Sequence, residues 1–461
     1  MTAFLYSTFF AITCLWAAFR NYFWSLALFI YMFPLEQVLQ SGIPFLTTGR
    51  GLEVVNYSIA CVVVISVFVQ VIRVPNFFYG WANTSSLACL SLYIWALLSV
   101  IWSPAKALIL NYIYSGIPYL IITLLASLLA NSILDLFKSS RAMLLLGIPM
   151  ALIYLISPEF DMSSGRLNIR LSSDVNSNVL AVGEFGGLLI ISAILYRPKE
   201  IIGILNFPMR IILVILGAII SLKSGSRGQF FGAIAVSLLL IPVASQIKSL
   251  LGLISILIST IIISIIIYYV YSITLGGLQS FAVKRFDINE LLFGASSAEG
   301  RLSNIQTLFF AWISSPIAYL IGLGTGAFST ITSSGEDYPH NLLAEVAFEL
   351  GIIGFLLLFI CLISAGKSCF QLFIHYRNMQ EERSAVTLLI GYIVYEFILA
   401  NKQGALWGVP ILFLFTSIAG RLVKRIILEE ESNQFDKSNL TEPNSVLVSN
   451  GGLNIQNLDI K

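Results

Sequence analysis

The chain has 461 residues, of which 57% are hydrophobic and only 11% charged, and its net charge is +2. So small and scattered a positive charge gives no footing for nucleic acid, and so little charged surface excludes an ordinary water-soluble chain. Five cysteines, Cys14, Cys61, Cys89, Cys361 and Cys369, lie in or beside apolar runs without CxxC spacing, which makes them small core residues rather than redox or metal groups.

Taken in order, apolar runs of about the 20 residues that a bilayer requires recur along almost the whole chain. They cover about residues 3–19, 21–38, 54–72, 83–101, 108–130, 142–157, 175–196, 201–222, 229–246 and 250–275, then 341–363, 384–401 and 405–421. Only Arg20 and Asn21 separate the first two, so the count reduces to about twelve spans. The expected fold is therefore all-α: a polytopic transmembrane helical bundle with a long extracytoplasmic loop over residues 276–340. The strands of a membrane barrel would alternate apolar and polar residues in short segments, which this chain does not do. Met1 to Trp16 lacks the basic start of a cleaved signal peptide. No linker and no internal repeat divides the runs, so residues 1–425 read as one membrane domain and 426–461, rich in Ser, Asn and Glu, as a disordered cytoplasmic tail.

If successive runs alternate sides, Arg20, Arg73, Lys138, Arg141, Arg197, Lys199, Lys248, Lys367, Arg377, Arg383, Arg421, Lys424 and Arg425 fall together on one side. That larger basic set marks the cytoplasm. The other side receives Arg50, Lys106, Arg166, Arg170, Lys223, Arg227, Lys284, Arg285, Arg301 and Lys402.

Polar chemistry gathers on this second side. NIRLSSDVNSN carries Arg170, KSGSRGQ carries Ser226 and Arg227 between Gly225 and Gly228, and the loop carries Arg301, Glu336, Asp337 and His340. Arginine is a permanently charged planar fork suited to phosphate, and backbone N–H groups opening a helix also attract anions. Arg227 thus reads as an anion ligand or as a residue that snorkels to the headgroups, and Arg301 as a second ligand or as the loop partner of Glu299. His340 stands directly before an apolar run; an imidazole with an ordinary pKa near ~6.5 suits a general base, and the same position suits a helix-capping turn. His375 reads as a cytoplasmic loop residue. Glu336 and Asp337 alone leave room for a divalent ion, and no spaced set of metal ligands occurs.

SGSRG at 224–228, EGR at 299–301, the SP…GLGTGAF run from Ser315 to Phe328 and HN…FELGIIG from His340 to Gly354 together resemble the O-antigen ligase and O-antigen polymerase superfamily, membrane glycosyltransferases of the C-type architecture. RLSSDVNSNVLA at 170–181 is similar to the family's upstream Arg/Asn motif in a looser form, and the resemblance covers roughly residues 165–420. The aromatic residue usual a few positions after the loop Arg is missing at Asn304 to Gln306, although Trp312 stands further on. The resemblance implies catalytic roles for Arg227, Arg301 and His340, with Arg170 and Ser226 beside Arg227 and Arg301 in donor binding and Glu349 in a family-like position.

The reaction implied by the resemblance is transfer of a polyprenyl-diphosphate-linked oligo- or polysaccharide to a lipid or glycan hydroxyl, at the outer face of a bacterial inner membrane, during cell-envelope polysaccharide or lipopolysaccharide assembly. No cofactor and no metal are expected. Two other classes stand beside it: an anion transporter of the bicarbonate kind, since chains with this signature have carried that label, and a non-catalytic partner in polysaccharide export. Transport sites sit near the bilayer midplane at broken helices, whereas these arginines and His340 sit at one face.

Overall fold

The structure is a computed structural model that describes residues 2–47, 51, 53–157, 160–161, 167–169, 179–199, 205–245, 251, 254, 258, 296–332 and 338–441. The described chain is helical apart from one short antiparallel pair, β1 (Phe160–Asp161) with β2 (Asn168–Ile169). The helices are α1 (Thr2–Phe19), α2 (Tyr22–Ile30), α3 (Met32–Gly42), α4 (Val54–Arg73), α5 (Thr84–Ser99), α6 (Lys106–Ser127), α7 (Ile133–Ile156), α8 (Val179–Leu195), α9 (Phe207–Lys223) and α10 (Arg227–Ser245). They continue with α11 (Ser296–Ile313), α12 (Pro316–Ile321), α13 (Phe328–Ile331), α14 (Leu342–Glu349), α15 (Gly351–Tyr376), α16 (Gln380–Gln403) and α17 (Pro410–Thr441).

Local chemistry sets many of these limits. Asn83, Asn206 and Asn341 cap α5, α9 and α14 by accepting from Ser86, Met209 and Ala344 N–H groups. A full capping box between Ser132 and Asp135 starts α7 at Ile133, nine residues before the apolar run at 142. Hydropathy misses that first stretch because Asp135, Lys138 and Arg141 ride on it. The run 341–363 is not one helix either. Gly351 takes φ +67°, which breaks it into α14 and α15, and the indole of Trp95 donates to the Leu350 carbonyl at the break at 2.9 Å.

Among the described residues five helices, α4, α7, α10, α15 and α16, are long and apolar enough to cross a bilayer, and the α2–α3 pair, bent by 80°, makes a sixth if counted as one broken span. The chain is a membrane-embedded helical protein. Its outward surface carries apolar side chains such as Phe4, Phe68, Ile72 and Ile156, each more than half exposed in the protein alone, as a lipid-facing surface requires. Among the described residues these spans are fewer than the twelve or so expected, because several apolar runs form shorter helices such as Thr84–Ser99 and Val179–Leu195. Most of the 250–275 run lies outside the described residues.

Hydrogen bonds fix five residues of the larger basic set, Arg197, Lys199, Arg383, Arg421 and Arg425, at one end of the bundle. Arg421 donates to the Phe77 carbonyl and Asn131 Oδ1, Arg425 to the Asn76 carbonyl, and Arg383 to the Arg377 and Ala244 carbonyls, while the Arg197 and Lys199 N–H groups donate to Ser384 and Glu381. His375 is a helical residue of α15 and pairs with Glu430 of α17 at 3.6 Å, not a loop residue. α17 likewise continues to Thr441, past the expected boundary at 425. Glu429, Glu430 and Glu431 are good helix formers and one of them finds this partner, so the helix extends where composition alone reads as a tail. Residues 442–461 lie outside the described residues. The expected loop, 276–340, contains α11, α12 and α13 in its described part, where apolar residues such as Leu308 and Phe328 are buried.

Candidate functional site

The opposite end of the bundle holds the motif residues. α9 ends at Lys223, and Gly225, at φ +68°, turns the chain into α10, whose first residue is Arg227. Ser226 is buried, and its N–H donates to Ser224 Oγ at 3.3 Å. Gly183 of α8 packs against Ser224, Ser226 and Gln229, where any side chain would collide with them. The turn is therefore closely packed, and it presents a half-buried arginine at the positive end of a helix.

α16 connects this turn to His340. Gln229 Nε2 donates to Gln403 Oε1 at 2.6 Å, and a Cβ on Gly228 would overlap the Lys402 side chain. One residue earlier on α16, Asn401 accepts from the Leu343 N–H at 3.2 Å, while Asn341 Nδ2 donates to the Asn401 carbonyl at 3.1 Å. His340 directly precedes Asn341, adopts the left-handed φ of +55° and stacks edge-on against Tyr338 at 4.4 Å between ring centroids. The capping turn anticipated beside His340 is thus present, and it is what fixes the imidazole at the end of α14.

A cavity of about 650 Å³ opens here. α11 lines it with Leu302 and Ile305, the α14 entry with Pro339, His340, Asn341 and Leu343, and α16 with Phe397, Ile398, Asn401 and Lys402. Arg301 lies within α11, immediately before Leu302, so it is a helix residue rather than the opening of a loop. Its side chain is outside the described residues, as are Arg170, Glu336 and Asp337 altogether. Arg227 does not line the cavity; its neighbour Gly228 packs against Lys402, which does. The structure therefore places His340 on the cavity, the backbone of Arg301 on a helix that walls it, and Arg227 and Ser226 on the adjoining turn.

Asn401 was not singled out from the sequence, Lys402 entered only as one of the basic residues of that side, and Asn341 only as the capping residue beside His340. The available signal was the NKQ triplet closing an otherwise apolar run. Glu349 has an evident structural duty: its two carboxylate oxygens accept from Gly326 N–H at 2.7 Å and Phe328 N–H at 2.9 Å. The GLGTGAF run is thereby folded onto α14, with Gly322, Gly324 and Gly326 all at positive φ and Thr325 bonded to Ser99 of α5. Trp312 joins Phe309, Tyr319 and Phe348 in an aromatic cluster that seats α11 on the same helix. Among the described residues no group of three or more His, Cys, Asp or Glu gathers as a metal site, and the five cysteines are unpaired with one another.

No protein-family model and no curated protein matches the chain.

Proposed function

We propose that the chain is a membrane glycosyltransferase that moves a polyprenyl-diphosphate-linked oligo- or polysaccharide onto a hydroxyl acceptor, as O-antigen ligases and polymerases do. The observation that carries this reading is the cavity of about 650 Å³ with a histidine on one wall and a lysine on another, next to the arginine-bearing turn. A donor carrying a diphosphate needs fixed cations, and an acceptor hydroxyl needs a base. Both lie at one end of the bundle, within reach of a lipid-borne substrate.

In this scheme Arg227 and Arg301, with Lys402 added, hold the diphosphate and stabilise the charge that develops as it leaves. Arg170 and Ser226 belong to the same donor-binding group. His340 takes the proton of the acceptor hydroxyl, the acceptor oxygen bonds to the anomeric carbon, and the bond from that carbon to the diphosphate breaks with its electron pair going to the leaving group. General-base help of this kind typically contributes roughly 10²–10⁴ in rate. The reading includes no cofactor and no metal. Its setting is a bacterial inner membrane, with about twelve spans, the 276–340 segment outside and the end bearing Arg421 and Arg425 in the cytoplasm.

An anion transporter would need positive groups at a break in mid-span. The bent α2–α3 pair carries Glu36, Gln37 and Gln40 instead, which does not favour an anion there. The test is reconstitution of the purified chain in nanodiscs with a polyprenyl-diphosphate glycan donor and a lipid-borne hydroxyl acceptor. Transfer of glycan to the acceptor is expected. Absence of transfer together with anion uptake by proteoliposomes would replace the enzyme with the transporter.

A further inference from the structure

α11 and α12 lie in a stretch that the sequence reads as an extracytoplasmic loop, yet their exposed surface is rich in large apolar side chains. Helical spacing divides α11 into faces of different chemistry. Ile305, Leu308 and Trp312, three and four residues apart, make the packed face: Leu308 is buried and the other two are half-buried. Leu302, Phe309 and Ile313, seven and four residues apart, make an exposed apolar face with Phe310 beside them, interrupted by Gln306. Ser303, Thr307 and Ser314 make an exposed polar one. α12 adds Ile317 and Leu320, which are 69% and 55% exposed. An apolar strip of this kind is rare on a surface that meets only water.

Attachment to the span α15 sets the depth of this hairpin. The Leu323 N–H donates to the Phe348 carbonyl at 2.9 Å and the Gly324 N–H to the Glu349 carbonyl at 2.8 Å, and a Cβ on Gly351 would collide with the Leu320 carbonyl. α12 therefore ends beside the first residue of α15. On α15 the exposed apolar side chains run from Ile352 to Ile374, about 33 Å along the helix, which matches the ~30 Å of a bilayer's hydrocarbon core. Ile352 thus marks one edge of the hydrocarbon, and Ile317 and Leu320 expose their side chains at the same level. Trp312 and Tyr319, residue types that favour the membrane interface, lock the two helices of the hairpin together. Their rings meet at 4.7 Å, Trp312 Nε1 donates to the Ala318 carbonyl at 2.7 Å, and the Tyr319 hydroxyl donates to the Ile313 carbonyl at 3.3 Å.

An amphipathic helix at that level buries its apolar face about 5–10 Å into the boundary between headgroups and acyl chains. We propose that the α11–α12 hairpin is an interfacial membrane element, with Leu302, Phe309, Phe310 and Ile313 of α11 and Ile317 and Leu320 of α12 seated in the lipid leaflet on the His340 side. Ser303, Thr307 and Ser314 then face water. The occupant of the strip is lipid rather than a second protein, because the strip adjoins the lipid-facing side chains of a span at the hydrocarbon edge, where lipid is already present. α11 also supplies Leu302 and Ile305 to the His340 cavity, so that wall of the cavity is positioned by the bilayer surface. This placement needs only a membrane-embedded chain and holds whether or not glycans are transferred.

Spin labels on the full chain in nanodiscs test this directly. Cys14→Ser and Cys61→Ser remove the two cysteines that are not buried, so that a single introduced cysteine carries the label. Labels at Phe310→Cys and Ile317→Cys should collide severalfold more often with molecular oxygen, which concentrates in the bilayer, than with a water-soluble nickel chelate. A label at Thr307→Cys should show the reverse preference. Circular dichroism establishes that each variant is folded; if Phe310→Cys is not, Leu320→Cys gives the same comparison. A preference for the nickel chelate at Phe310→Cys and Ile317→Cys would place the hairpin in water and overturn the proposal. Protection of both positions from both reagents would also overturn it, since a second copy or another protein would then cover the strip.

Discussion

Asn341 and Asn401 each bond to the other's segment: the Asn341 amide donates to the Asn401 carbonyl at 3.1 Å, and the Asn401 side chain accepts from the Leu343 N–H at 3.2 Å. This reciprocal clasp ties the turn bearing His340 to the end of α16 bearing Lys402. Asn401→Ala should lower stability by about 1–3 kcal/mol, since a buried N–H loses its acceptor. Asn341→Ala adds the loss of a helix cap, itself worth about 0.5–2 kcal/mol. Thermal unfolding in detergent measures both, and the proposed transfer should fall more than the amount of folded protein does.

Glu349 presents a contrasting case, a carboxylate whose work is to hold backbone. Glu349→Ala should leave the Gly326 and Phe328 N–H groups without acceptors at a cost of about 1–3 kcal/mol each, and their amides should exchange with deuterium sooner than in the wild type. Glu349→Gln keeps one acceptor oxygen and should fall between. Amide exchange unaltered in Glu349→Ala would show that the carboxylate does not organise the GLGTGAF turn.

For Arg227, the expected result is that Arg227→Lys inserts and folds normally but loses at least about tenfold in transfer, because a point ammonium cannot make the two parallel bonds of a guanidinium. Gly228→Ala should act on the same step by pushing the Lys402 side chain aside. A headgroup anchor would tolerate lysine, so full activity of Arg227→Lys would remove the diphosphate role.

The backbone at His340 decides the variant of choice there. At φ +55° alanine is strained by roughly 1–2 kcal/mol whereas glycine is not, so His340→Gly separates loss of the base from loss of fold. Turnover should drop by roughly two to four powers of ten with donor binding little changed. Near-wild-type turnover of folded His340→Gly would take the base out of the mechanism and leave the cations as the proposed site.

Sidedness is accessible by labelling. Ser314 and Asn378 are both exposed and belong to opposite ends of the bundle. A membrane-impermeant thiol reagent applied to intact cells should modify Ser314→Cys and spare Asn378→Cys. The reverse pattern would invert the proposed orientation.

Composition and periodicity by themselves determined that this chain is a helical membrane protein and where its apolar helical runs lie outside residues 276–340, because lipid forces backbone hydrogen bonds to be satisfied within apolar helical runs. Of the larger basic set read from the sequence, Arg197, Arg383, Arg421 and Arg425 bond to neighbouring segments at one end of the bundle. Hydropathy could not show that α7 begins at Ile133, that Gly351 divides one run in two, or that α17 passes 425, since these depend on a cap, a positive φ and a contact between His375 and Glu430. Nor could it find the parts played by Lys402 and Asn401. Each of these acts through a partner on another segment: Lys402 through Gly228, 174 positions away, and Asn401 through Asn341, 60 positions away. Only the packing of α10, α14 and α16 decides which of these polar groups of an apolar chain meet.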